Sequence, residues 1–334
     1  MLSQLLPSFN SLQALTRREL LRVGAVSLLA PFVSGAVRAD SAPLRFAPAK
    51  TVILLWMDGG LSHLDTFDPK HRADCAIRGP FGAVATNEDE VQISDGLPRL
   101  ARQADKFAIL RGVSHGEGGH ERAACLMRTG FPLTSNSTIP DFGSLLLEAQ
   151  TAAPFTANSK PARTRVERES EARYGASAFG RACLAARRKA EQGVPFICVP
   201  MSGWDLHSDC FSRLQNYLLP TLDTGFSALL LDLAQRGLLE STLVICMGEF
   251  GRSPVINANQ KPGRDHWPAA MSVVLAGGGV AGGQILGATD ALGLMPLETA
   301  IRPQDVLATI LHLAGVPIPC DLENSGRILR ELCK

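Results

Sequence analysis

Five short runs along the chain are apolar without alternation: TVILLWM (51–57), FAILRGV (107–113), PFICVPM (195–201), TLVICMG (242–248) and MSVVLAG (271–277). Strands buried on both faces show such continuity, as in a parallel sheet sandwiched by helices. Between them stand helix-like stretches at 97–106, 179–193 and 214–237, the last interrupted by Pro220. A final helix, PQDVLATILHLAG (303–315), is capped by Gly315 and stopped by Pro317. Strand and helix in alternation predict an α/β fold. The Pro-, Ser-, Thr- and charge-rich segment 151–173 reads as a flexible surface linker or lid.

The first forty residues break this pattern. Paired Arg17 and Arg18 precede a mildly apolar run of fifteen residues and a small-residue site near Ala39. That order is expected of a twin-arginine signal over 1–39, and it predicts export to the periplasm or beyond. A spanning helix needs about 18–20 apolar residues, and Pro31 breaks this run, so no stable membrane span is expected in the mature chain of 40–334.

Removing residues 1–39 takes away four of 33 basic and one of 32 acidic residues, leaving 29 against 31, a net charge of −2. That balance argues against a nucleic-acid partner. The 46% hydrophobic content over 334 residues is ample for a buried core. The eight cysteines have no CxxC spacing, so a structural zinc site built from them is not expected. Cys198 and Cys246 lie within apolar runs and read as core.

In parallel α/β sheets ligands bind beyond the carboxyl ends of the strands. Asp58 follows the first run, with two glycines that permit a tight turn. Asp205 and His207 follow the third, Glu249 follows the fourth, and Asp265 and His266 stand just before the fifth. An aspartate after a strand is commonly a cap or turn former, and Asp265 has Arg264 and Arg252 near it as charge partners. The joint placement of carboxylates and imidazoles is what points to a divalent-metal site. No GxSxG elbow, Walker A loop or HExxH motif is present. GGGVAG (277–282) matches a dinucleotide pattern in form, but without a following helix it reads as a turn.

The ordered series TRRELLR, VILLWMDGGLSHLDTFDPK, LPRLARQADKFAILRGVSH, HERAACLMRTG, GWDLHSD, MGEFGRSP and GRDHWP resembles the DUF1501 family, relatives of the alkaline phosphatase and sulfatase superfamily. The resemblance implies an alkaline phosphatase-like three-layer α/β sandwich, its mostly parallel central sheet flanked by helices. It also implies a divalent ion (zinc, manganese, calcium or magnesium) held by Asp58, Asp205, His207, Glu249 and His266. Two departures stand out: Phe250 occupies the place of a second ligand, and Asp205 and His207 are closer in sequence than usual.

In that superfamily a hydroxyl or modified residue at a helix start attacks the ester, and the matching segment here is SHGEGGHERAACLMRTG (114–130). Ser114 comes several residues early and His120 stands nearer the expected position, with His115 beside it. The expectation is a metal-dependent hydrolase of phosphate or sulfate esters in which Ser114, His115 and His120 are the catalytic candidates. Arg122, Arg252 and Asp265 are expected to contact substrate, a small-molecule or carbohydrate ester. The alternative is an exported metal-, carbohydrate- or anion-binding protein on the same fold.

Overall fold

The computed structural model describes residues 47–134, 139–150, 165–323 and 325–334. The expected signal at 1–39 lies outside them. Among the described residues no helix is long and apolar enough to cross a membrane.

Among the described residues ten strands form in chain order: β1 (Thr51–Asp58), β2 (Ala83–Ala85), β3 (Gln92–Ser94), β4 (Phe107–Val113), β5 (Phe196–Ser202), β6 (Thr242–Met247), β7 (Gly251–Arg252), β8 (His266–Trp267), β9 (Met271–Ala276) and β10 (Gln284–Leu286). Six of them make one sheet in the order β10-β4-β9-β6-β1-β5, while β2 pairs with β3 and β7 with β8. β1 runs parallel to β5 and β6, and β10 parallel to β4; β9 is antiparallel to both its neighbours. The reversal of β9 puts its amino end at the same edge as the carboxyl ends of β1, β4, β5 and β6. Residues before β9 thereby join residues after the other four strands.

The longer helices are α1 (His120–Thr129), α2 (Phe142–Gln150), α3 (Arg165–Ala172), α4 (Ala178–Glu191), α5 (Leu219–Gln235) and α6 (Pro303–Leu313). Alternate residues of each central strand feed two cores. Ile53, Leu55 and Met57 pack with Phe179, Leu222, Phe226 and Leu229 from α4 and α5. Val52, Leu54 and Trp56 pack with Met127, Phe142 and Ile310 from α1, α2 and α6. Burial on both faces is why these strands lack polar alternation.

Three expectations change. Residues 165–172 of the expected linker are the helix α3, held by Glu167, which accepts from Arg187 and Arg236. Cys246 is buried, but Cys198 is exposed, because β5 is the last strand of the sheet. Pro220 does not end a helix: it occupies the first turn of α5, and a π-helical turn at Leu214–Leu218 precedes it. A proline has no N–H to lose at a helix start, and the wider turn accommodates the change.

Candidate metal centre

At the site edge of the sheet the chain turns sharply after β1. Gly59 and Gly60 adopt φ of 109° and 89°, in the region that favours glycine. A Cβ on Gly59 would stand 2.4 Å from the Asp205 backbone nitrogen, so the turn can lie against the segment after β5 only without a side chain. That contact fixes where Asp205 begins.

Asp205 is the centre of the cluster. Its Oδ1 lies 3.0 Å from His266 Nε2 and 3.0 Å from His207 Nε2, and its Oδ2 is 3.3 Å from His120 Nε2. The Nε2 atoms of His207 and His266 are 3.0 Å apart. His120, Asp205 and His266 offer donor atoms that all lie within 4.8 Å of one another. Burial opposes the charge on Asp205, but hydrogen bonds from Arg252 and His266 outweigh it and hold the carboxyl well below the usual range.

The other ring nitrogens face acceptors. His120 Nδ1 is 2.7 Å from Glu249 Oε1, His207 Nδ1 2.6 Å from Asp265 Oδ1, and His266 Nδ1 2.8 Å from the Gly118 carbonyl. Each Nδ1 faces an oxygen that can only accept, and each Nε2 faces the Asp205 carboxylate, so both ends of every ring lie against acceptors. The three Nε2 atoms converge on that one carboxylate. Arg252, bonded to Asp205, offsets part of the carboxylate's charge; a divalent cation among the Nε2 and carboxylate atoms would offset the rest. Imidazole nitrogens with a carboxylate oxygen, each ring bonded through its far nitrogen to an acceptor, are a donor set suited to a divalent metal. The residues present therefore fit such an ion.

The remaining expected residues sit around this cluster. Glu249 is buried; its Oε1 accepts from Gly59 N–H at 2.9 Å as well as from His120, and its Oε2 has no hydrogen-bond partner among the described residues. It reaches the cluster through His120. Asp58 is exposed and accepts from Ser202 Oγ at 3.2 Å, and it is not in the group of converging donors. Phe250, found where a second ligand was expected, packs its ring 4.5 Å from His266 and 5.1 Å from His120, forming an apolar wall behind both imidazoles.

His115 has both nitrogens engaged. Nε2 donates to the Glu249 carbonyl at 2.8 Å and Nδ1 accepts from Glu117 N–H at 3.1 Å; burial pushes its pKa down despite that carbonyl. It braces the strand end that carries Glu249. Ser114 donates its amide to the Ile301 carbonyl, and among the described residues no contact joins it to the cluster.

Arg252, expected at the substrate, is buried, and its guanidinium bonds the carbonyls of Gly59, Gly60 and Arg264 as well as Asp205. Asp265 is bonded to His207, which holds its carboxyl below the usual range. Arg122, like Asp265, is open to solvent, and it is bonded at Nε to Glu117. It lies in the first turn of α1, whose cap residue Gly119 supplies no side-chain acceptor.

Sequence reasoning missed a buried polar knot in the loop after β1. Asp65 and Arg264 form an ion pair with both side chains fully buried, and His63 donates from Nε2 to the Gly293 carbonyl. The paired spacing of Ser62 and Asp65, bonded at 2.5 Å, is the signal that could have marked it.

The sequence matches the family described as "Protein of unknown function (DUF1501)" over residues 49–154 and 147–318. The chain belongs to the DUF1501 family. Comparison with curated proteins finds no match. Among solved structures, a protein of Bacteroides thetaiotaomicron from work on the metabolism of glycosaminoglycans aligns with a TM-score of 0.50 at 12% identity, over 84% of this chain and 75% of its own. A 2-O GAG sulfatase aligns at 0.47 and 13%, over 86% and 74%. The C-terminal periplasmic domain of Escherichia coli EptC, solved with zinc, aligns at 0.45 and 9%, over 81% and 84%. The fold of this DUF1501 chain is of the sulfatase and alkaline phosphatase kind: α/β, with a mixed, mostly parallel sheet between helices.

Proposed function

We propose that this DUF1501 protein is an exported, metal-dependent hydrolase of phosphoric or sulfuric esters. The observation that carries the reading is the convergence of three imidazole Nε2 atoms on Asp205 at the edge of the sheet where four strands end. His120, Asp205, His207 and His266 would hold the ion. A divalent metal there supplies Lewis acidity, polarising an ester oxygen and making a nearby water nucleophilic.

The chain itself supplies the remaining parts. The first-turn amides of α1 have no side-chain cap, and a helix start of this kind would favour the anionic oxygens of the ester. Arg122 on the same turn adds a cation for those oxygens. Arg252 fixes the rotamer of Asp205, and Phe250 keeps water from the back of the imidazoles.

The test is elemental analysis of the purified mature protein together with turnover of aryl phosphate and aryl sulfate esters, before and after chelation and with each ion restored. About one equivalent of zinc or manganese, and turnover that collapses on chelation and in Asp205→Asn, supports the reading. Metal without turnover of either ester class overturns hydrolysis in favour of a binding role. A protein that takes up no stoichiometric divalent ion overturns both.

A further inference from the structure

We infer that Asn257 is a positioning residue, neither ligand nor substrate contact, which shapes the loop between β7 and β8 into a cradle that sets His207 beside His266. This role deepens the metal-centre reading above and rests on it for what the two rings hold.

β7 and β8 are the arms of a hairpin, pairing Gly251 with Trp267 and Arg252 with His266, and residues 253–265 join them. His266 therefore rides on one arm. His207 comes from elsewhere, the irregular stretch 203–209 after β5, which lies outside any strand or helix. The hairpin loop is what holds it. The Leu206 carbonyl accepts from Arg264 N–H at 3.0 Å, and the amides of Asp209 and Cys210 donate to the carbonyls of Lys261 and Pro262 at 3.3 and 3.1 Å. Between them, the His207 carbonyl accepts from two side chains of the loop, Asn257 Nδ2 at 2.9 Å and Asn259 Nδ2 at 2.8 Å. Gly263 passes so close that a Cβ on it would stand 2.3 Å from the His207 carbonyl carbon and oxygen.

Asn257 is the hub of this loop. Its Oδ1 accepts from the amides of Gly263 at 3.0 Å and Asn259 at 3.4 Å, and its own amide donates to the Gly263 carbonyl at 3.0 Å. Two donors at Oδ1, with the His207 carbonyl and Asp265 Oδ1 as acceptors at Nδ2, leave one orientation for the side-chain amide. Apolar seating does not account for the shape, because residues 258–262 are all exposed. Hydrogen bonds keep it, and they end on the backbone of His207. The two rings are thereby held with their Nε2 atoms 3.0 Å apart across 59 positions of sequence. His120, Asp205 and His266 form a compact donor group without His207, so His207 is the donor whose place depends on the cradle. Loss of a partner that orients a ligand commonly costs about 10–100-fold in metal affinity.

Histidine-selective labelling and zinc titration of the full-length protein test this role. In the metal-free protein, with the ring carbon–proton signal of His207 assigned through His207→Gln, Asn257→Ala should shift or broaden that signal and leave that of His63 in place. Asn259→Ala, a change at an exposed residue, should do the same to a smaller degree. Zinc affinity by chelator competition should fall about 10–100-fold in Asn257→Ala, and the same substitution made in His207→Gln should cost nothing more. An asparagine that served only the fold would weaken both backgrounds alike, and that result overturns the inference. So does a His207 signal that Asn257→Ala leaves unmoved, whether or not zinc binds. A wild type that takes up no zinc overturns the metal-centre reading alone, since a His207 signal moved by Asn257→Ala supports the positioning role without an ion.

Discussion

The guanidinium of Arg252 bonds Asp205 and the Gly59 carbonyl through the same nitrogen. It thereby ties the turn after β1 to the carboxylate on which three imidazoles converge. Replacing it with methionine leaves Asp205 without its cation and three buried carbonyls without donors. Because Asp205 is half exposed, water screens part of the loss, so Arg252→Met is expected to destabilise the fold by about 3 kcal/mol. Denaturant unfolding of the metal-free variant measures this, and a change below about 0.5 kcal/mol would refute the assignment.

Asp65 and Arg264 make a second tie, fully buried, behind the same edge. Removing only one partner strands a charge in the core. Asp65→Ala is expected to cost about 3–5 kcal/mol, and restoring stability in Asp65→Ala paired with Arg264→Met, measured as a double-mutant cycle, would show that the stranded charge is the cause.

The turn itself gives a third prediction. Gly59→Ala forces a Cβ toward the Asp205 backbone nitrogen at a φ of 109°, a conformation that alanine resists. The segment carrying Asp205 must shift, so divalent-metal affinity should fall at least about 10-fold even where circular dichroism shows the sheet intact. Affinity equal to the wild type would mean that the segment yields without cost.

His63 sets a pH dependence. Burial holds its pKa below the ordinary 6.5, against the pull of Asp68. The folded ring stays neutral while the unfolded chain takes up a proton below that value, so the sign follows: this contribution is fully present above 6.5 and declines as the pH falls. Urea midpoints recorded across that range should drop toward acid, and the slope should be shallower in His63→Gln. An equal slope in both proteins would rule His63 out as the source.

β1, β4, β6 and β9 were legible in the sequence because burial on both faces leaves an unbroken apolar run, while β5 reads as apolar although alternate residues of it are exposed. Direction left no such mark. TLVICM and MSVVLA read alike, yet one runs antiparallel to the other, and only that reversal explains why His266, placed before its strand, reaches the same edge as Asp205. β10 escaped notice because three half-buried residues carry too little pattern. For the site, residue type and position after a strand identified Asp205, His207 and His266 as candidates, and the structure brings them together. The same rule also selected Asp58 and Glu249, which the structure sets apart, since a strand-end carboxylate can point outward to Ser202 or back to a backbone amide and the sequence is silent on which. The grip on each Nδ1 depends on side-chain aim across more than a hundred residues at Glu249 and His120, a distance over which local pattern carries no information.

The reversed strand also governs when the centre can exist during folding. Its parts come from β8, from the start of α1 and from the segment after β5, and β9 must be seated antiparallel between β4 and β6 before His266 arrives. No hairpin or contiguous fragment holds even two of the three imidazoles of His120, His207 and His266 in register. Closing such long loops is slow relative to local structure. A metal ion supplied to the refolding chain therefore has nothing to template early, and its binding should lag behind sheet formation and act as a late clasp on a scaffold already assembled.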